Sequence, residues 1–167
     1  MKVTFFALML GLPALALAAS NPDASFYKNA AEGGIAEVEA GQLAQEKGNS
    51  QPVKDFGAMM VKDHSAANEK LKALASSKDI TLPSSPSVGQ MASKTKLNVL
   101  SGDTFDKSYV KGQISAHRQT IALFRKEISS GQDADAKAFA TATLPTVRSH
   151  LKAITAIAAD MGIKTKP

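Results

Sequence analysis

The chain has 167 residues with no cysteine and no tryptophan, and its 20 Lys and Arg outnumber 15 Asp and Glu for a net charge of +5. The lack of cysteine excludes disulfides, thiolate ligands and thiol catalysis. Lysines and acids alternate without a run and only 5% of residues are aromatic, so nucleic acid is not an expected partner; the charge suits a solvated surface that could meet anionic lipid or polysaccharide.

The first residues, "MKVTFFALMLGLPALALAAS", carry one lysine, an apolar run to Leu17, and Ala16 and Ala18 at the spacing of a signal-peptidase site. This reads as a cleaved export signal over residues 1–18, leaving residues 19–167 as one periplasmic or secreted domain. The apolar run falls short of the ~20 residues a membrane span requires. It also contains Pro13, and the segment has neither a twin arginine nor a cysteine to lipidate.

Helix punctuation is clear at four places and strand signals are nearly absent. The first long helix is predicted to open at Asn21 and Pro22 and to close near Gly48. The second follows "NSQP", with Ser50 as cap and Pro52 in the first turn, and fades around "SSKD". The third opens at Asp103, whose side chain can accept from free amides, and stops at Gly131; the fourth starts close to Asp133 and runs to Gly162. Each spans about 26 to 29 residues, or roughly 40 Å. Short turns join the first pair and the second pair into antiparallel hairpins. Between the pairs, "DITLPSSPSVGQMASKTKLNVLSG" holds a Pro/Ser turn and a short helical stretch with Met91, Leu97 and Leu100. That connection can travel the length of the bundle, which predicts an all-α, ferritin-like four-helix bundle with one long crossover.

The second helix presents Val53, Phe56, Met60, His64, Ala67, Leu71 and Leu74 on one stripe, with Asp63 at its edge. The third presents Val110, Ile114, His117, Ile121, Phe124 and Ile128, and the fourth Thr143, Val147, His150, Ile154, Ile157 and Met161. These are the only histidines, one per apolar face. The helix midpoints fall near residues 64, 117 and 148, so packing side by side should bring the three rings to one level.

The first helix has a face of small residues, Phe26, Ala30, Gly33, Glu37, Ala40 and Ala44, on which Glu37 is the one ionisable group. Glu39 lies about 200° further round, with Glu32, Leu43 and Glu46 on what reads as the wet side, although a rotation of this helix would exchange Glu37 and Glu39. Three imidazoles and a carboxylate in an apolar interior suit iron, zinc, copper or manganese. The expected metal residues are His64, His117, His150 and Glu37, with Asp63 as ligand or as acceptor behind a ligand. The competing expectation is a hydrogen-bonded polar layer that fixes helix register without an ion.

No Glu-x-x-His pair occurs: Glu127 is nearly three turns from His117 and Asp160 as far from His150, which disfavours di-iron oxygen chemistry and bulk iron storage. Pro145, five residues before His150, frees the carbonyl of Thr141 and should bend the fourth helix above the site or serve as a tolerated kink.

The segments "AEVEAGQLA", "VKDFGAMMVKDH", "FDKSYVKGQISAH" and "LPTVRSHL" resemble the bacterial domain-of-unknown-function family 4142 over almost all of the mature chain. The resemblance implies an exported protein of ferritin-like fold in which Glu37, Asp63, His64, His117, His150 and Pro145 are pattern positions; it names no reaction. The functions in play are a metal-binding bundle in metal or oxidative-stress handling, and a metal-free envelope stress or surface protein that binds a partner through the crossover or the first helix. An enzymatic role such as a peroxidase or ferroxidase would rest on fold analogy alone. A metal site would require neutral imidazoles, so occupancy is expected to fall below about pH 6.

Overall fold

The computed structural model describes residues 23–164; the expected signal segment 1–18 and the expected start of the first helix at Asn21 and Pro22 lie outside the described residues. The elements are α1 (Ala24–Lys47), α2 (Gln51–Ser76), α3 (Val88–Asn98), α4 (Gly102–Ser130) and α5 (Ala134–Asp160). No strand occurs among the described residues.

Local chemistry explains most of the ends. Gln51 and Pro52 open α2 after an extended Ser50, and Ser87 and Gln90 form a reciprocal capping box at the start of α3. Asp133 caps α5 by accepting from the N–H groups of Asp135 (3.0 Å) and Ala136 (3.4 Å). The other end of α5 stops at Gly162 in the left-handed region (φ 67°), where the Ile163 N–H donates to the Ala158 carbonyl in a Schellman closure. Helix α4 begins one residue earlier than expected, after Ser101, and Asp103 accepts from the Asn49 side chain in place of a backbone amide.

The hairpins α1–α2 and α4–α5 pack so that α1 lies beside α4 and α2 beside α5, with α3 across α1 and α4. The crossover carries the chain from the end of α2 back to the α1–α2 turn, where α4 starts, so the long helices run up, down, down, up. A carboxylate from each hairpin holds the turn of the other. Asp106 of α4, 1% exposed, accepts from the N–H groups of Asn49 and Ser50 at 2.9 Å each. At the opposite end Asp23, before α1, accepts from the N–H groups of Gln132 and Asp133. Tyr27 donates to Asp133 (2.8 Å) and closes the same corner.

Two apolar clusters fill the interior. The one near the α4–α5 turn contains Phe26, Tyr27, Leu71, Phe124, Leu144 and Val147; the one near the α1–α2 turn contains Val53, Phe56, Met60, Phe105, Tyr109 and Ile154. Leu43, expected on the wet side of α1, belongs to the second cluster. Between α1 and α2 the backbones touch: a Cβ on Gly57 would lie 2.6 Å from the Gly41 carbonyl oxygen, and one on Gly41 would lie 2.7 Å from that of Gly57. Pro145 sits on the exposed face of α5, which is continuous through it, and exposed Thr141 can give its unpaired carbonyl to water.

Three consequences are measurable by chemical denaturation. Asp106→Ala should lose at least about 2 kcal/mol, since two charge-assisted bonds to otherwise unpaired amides go with it. Gly57→Ala should lose about 1–3 kcal/mol despite the better helix propensity of alanine. Gly112→Ala in α4, where an added Cβ meets nothing within 4 Å, should gain up to about 1 kcal/mol.

Candidate metal centre

The layer between the two apolar clusters is polar. His64 comes from α2, His117 from α4 and His150 from α5, with exposures of 8%, 1% and 2%. Their ring centroids are 5.8 Å (His64–His117), 5.4 Å (His64–His150) and 5.5 Å (His117–His150) apart. One potential ligand nitrogen from each ring lies within 4.8 Å of the other two. Phe56 stands over the layer, with its ring 6.1 Å from His117 and 6.5 Å from His150.

Two of the rings have one partnered nitrogen, and all three keep a buried nitrogen without a partner. Nδ1 of His117 lies 2.9 Å from the Gln113 carbonyl oxygen, which can only accept, so that nitrogen carries the proton. Nε2 of His150 lies 2.9 Å from Asp63 Oδ2 and donates to the carboxylate. The remaining nitrogens, His117 Nε2 and His150 Nδ1, are buried without a hydrogen-bond partner, as is His64 Nε2. The carbonyl behind His117 and the carboxylate behind His150 thus fix the tautomers of those two rings and leave the other nitrogen of each with a bare lone pair.

Of the two carboxylates weighed on α1, the expected Glu37 is on the buried side (5% exposed), and the alternative Glu39 pairs with Lys94 at 3.0 Å on the outside. Glu37 Oε1 lies 3.9 Å from His117 Nδ1, so it stands behind that ring and outside the group of converging nitrogens. Asp63, with its side chain 31% exposed, likewise stands behind His150. Two residues that sequence reasoning missed complete the layer. Gln113 supplies its carbonyl to His117 and hydrogen-bonds Glu37 through its side chain, and Tyr109 lies close enough to Glu37 to be affected by its charge. The available signal was spacing: Tyr109, Gln113 and His117 follow one another at four-residue steps on α4.

Burial shifts the protonation of the layer. Desolvation, helped by the neighbouring rings, lowers His64 to about 3, and desolvation lowers His117 to about 4 against the opposing hydrogen bond from Gln113. Desolvation raises Glu37 to about 7, opposed by the Gln113 side chain. Near neutral pH the two rings are therefore uncharged and able to bind an ion, and Glu37 is poised between its two forms. Glu127, near the α4–α5 turn, is also raised to about 7, chiefly by burial and by Asp23 and Asp133.

These shifts oppose one another in stability. Above about pH 4.5 the folded rings lack protons that the unfolded chain binds up to about pH 6.5, which favours folding as pH rises. Glu37 and Glu127 hold protons that the unfolded chain loses above about pH 4.5, which disfavours folding as pH rises to about 7. The stability of the metal-free protein should be nearly level from pH 4.5 to 6.5. In Glu37→Gln the opposing contribution of Glu37 is gone, and denaturation curves should show stability climbing relative to wild type by about 1.4 kcal/mol per pH unit over the window from 4.5 to 7.

Solved structures that share this fold include two DUF305 proteins. The "secreted protein DUF305" of Streptomyces coelicolor superposes with a TM-score of 0.75 at 16% identity, covering 90% of this chain and 99% of its own. A DUF305 fragment from Deinococcus radiodurans superposes with a TM-score of 0.73 at 10% identity, covering 83% of this chain and 95% of its own. No curated protein matches the chain. A bundle of this topology, with its histidines in the pattern the sequence indicated, accords with the match of residues 12–157 to the family described as "Domain of unknown function (DUF4142)", and the chain belongs to that family.

Proposed function

We propose that the protein is an exported bundle that binds one transition-metal ion through His64, His117 and His150, in the handling of that metal or of the oxidants it generates. The observation that carries this reading is the set of bare nitrogens. A polar layer built only to fix register would pair its donors and acceptors, whereas here each ring keeps a buried nitrogen without a partner. Metal–nitrogen bonds of about 2.0–2.1 Å would require each ring to move inward by less than about 1 Å from the present spacing. Three imidazoles in a dry, neutral setting suit zinc, copper, iron or manganese, and the ion would leave room for a further ligand.

Asp63 and Glu37 act in this reading from behind the rings. Asp63 holds the orientation of His150 through its hydrogen bond; Glu37 stands 3.9 Å from His117 Nδ1 and adds a charge that can compensate the ion. Because burial keeps His64 and His117 neutral to about pH 4, proton competition should begin lower than the pH of about 6 expected for solvated imidazoles. Export rests on the leader-like residues 1–18 and on the secreted-protein name of one structural neighbour. Among the described residues no helix is long and apolar enough to cross a membrane.

A metal-free protein that binds a partner through the crossover is the second reading. It is favoured by the exposed apolar side chains Val88 (79%) and Val99 (80%) at the two ends of α3. Unchanged stability in chelator, with a partner recovered from envelope extract in the presence or absence of metal, would support it.

Metal analysis of untagged protein from its native compartment should find about one equivalent of a first-row ion, and His117→Ala should reduce it at least tenfold, since even loss of a group behind a ligand costs roughly 10–100-fold in metal affinity. A chelator should lower Tm, since an ion present at about 100 times its Kd contributes about 2.7 kcal/mol. Wild-type protein with under about a tenth of an equivalent, indistinguishable from His117→Ala, would end this reading.

A further inference from the structure

Helix α3 crosses α1 and α4 without burying any of its own side chains, and a groove of about 690 Å³ runs beneath it. The walls include the small residues Ala36, Ala40 and Gly112, and the rim carries Lys96 and Lys94, the latter paired with Glu39. The floor is different in kind. Glu37, Tyr109 and Gln113 line it at 5%, 2% and 5% exposure, and each has a buried oxygen with no hydrogen-bond partner: Glu37 Oε2, the Tyr109 hydroxyl and Gln113 Oε1.

A buried polar atom left unpaired costs about 1–3 kcal/mol, so three on one floor describe an occupant. Carboxylate and carboxamide oxygens only accept, and a phenol can accept as well, so that occupant donates hydrogen bonds or carries positive charge. Glu37 also lines a second, inner cavity of about 30 Å³ that touches His64. The same carboxylate therefore borders both the solvent-facing groove and the histidine layer.

We propose that the groove beneath α3 is the loading route of the histidine centre, and that Glu37 Oε2, Gln113 Oε1 and the Tyr109 hydroxyl form an oxygen-donor waypoint for a partly hydrated divalent cation. This rests on the reading of the histidine layer as a metal site. The order of ligands follows from their chemistry. Neutral oxygens and one carboxylate hold a hydrated ion loosely, and imidazole nitrogens then bind a first-row metal more tightly, so transfer runs from oxygen to nitrogen. Glu37 is the hinge of that transfer because it borders both cavities.

The test is stopped-flow absorption of Co²⁺ binding to the full mature chain, in wild type, Glu37→Gln, Tyr109→Phe and Gly112→Phe. Gly112 lines the groove and a Cβ there meets nothing within 4 Å, so a phenyl group can plug the route without striking backbone. Gly112→Phe should slow loading and chelator-driven release by about tenfold while leaving the end-point spectrum and Kd within about twofold; Glu37→Gln should slow loading by about tenfold with a weaker Kd, because it also removes the charge behind His117; Tyr109→Phe should slow loading and release by a smaller factor. Unchanged rates in Glu37→Gln and Gly112→Phe, with a wild-type spectrum, would overturn the route and leave the metal centre standing. Slow loading in Glu37→Gln with normal loading in Gly112→Phe would also overturn it, assigning the Glu37 effect to His117. A wild-type protein that takes up no Co²⁺, or does so with a spectrum indifferent to His117→Ala, would overturn both readings.

Discussion

The height at which one hairpin meets the other depends on two buried carboxylate clamps. Asp106 holds the turn of the α1–α2 hairpin and Asp23 holds that of the α4–α5 hairpin, each from the opposite hairpin and at opposite ends of the bundle. Helices of nearly equal length can otherwise slide by a turn at modest cost, because apolar stripes repeat along their axes. Backbone amides at fixed turns do not repeat. With both ends pinned, the mid-length residues of α2, α4 and α5 face one another, and those residues are histidines.

The layer they form is expensive for the fold. Phe56 and the two apolar clusters exclude water from rings whose inner nitrogens have no protein partner. Burial works in opposite directions on the acid and the bases, keeping His64 and His117 neutral and Glu37 partly protonated, so the interior avoids isolated charge near neutral pH. The unfilled capacity that remains is all of one type: lone pairs directed into confined space. That is the physical basis for reading the layer as a receptor for a cation.

The long helices were legible because their ends are written in residues with strong backbone preferences: Ser50 with Pro52, Gly131, Asp133 and Gly162. The three histidines were legible because each replaces an aliphatic residue in a regular stripe, and regular stripes on α2, α4 and α5 fix helix rotation. Rotation of α1 was less so. Its contact with α2 is set by Gly41 meeting Gly57 backbone to backbone, which hydrophobic periodicity does not register, and Leu43 consequently turns inward while Ala30 and Gly33 are only half-buried. Gln113 and Tyr109 were missed for another reason. A glutamine reads as a surface residue and a tyrosine as core, and only the placement of Glu37 opposite them makes them partners. The side of His117 on which Glu37 stands could not be read from angle and height alone.

Helix α3 has no side chain in either core cluster's buried set, yet it is held to the bundle by the Lys94–Glu39 pair, by Leu97 against the second cluster and at its end by the Lys47 ammonium group, which donates to the Asn98 carbonyl. Selection on folding therefore acts on this segment mainly through its length and these few contacts. Its outward residues can change at little thermodynamic expense, which makes α3 a replaceable cover on the bundle.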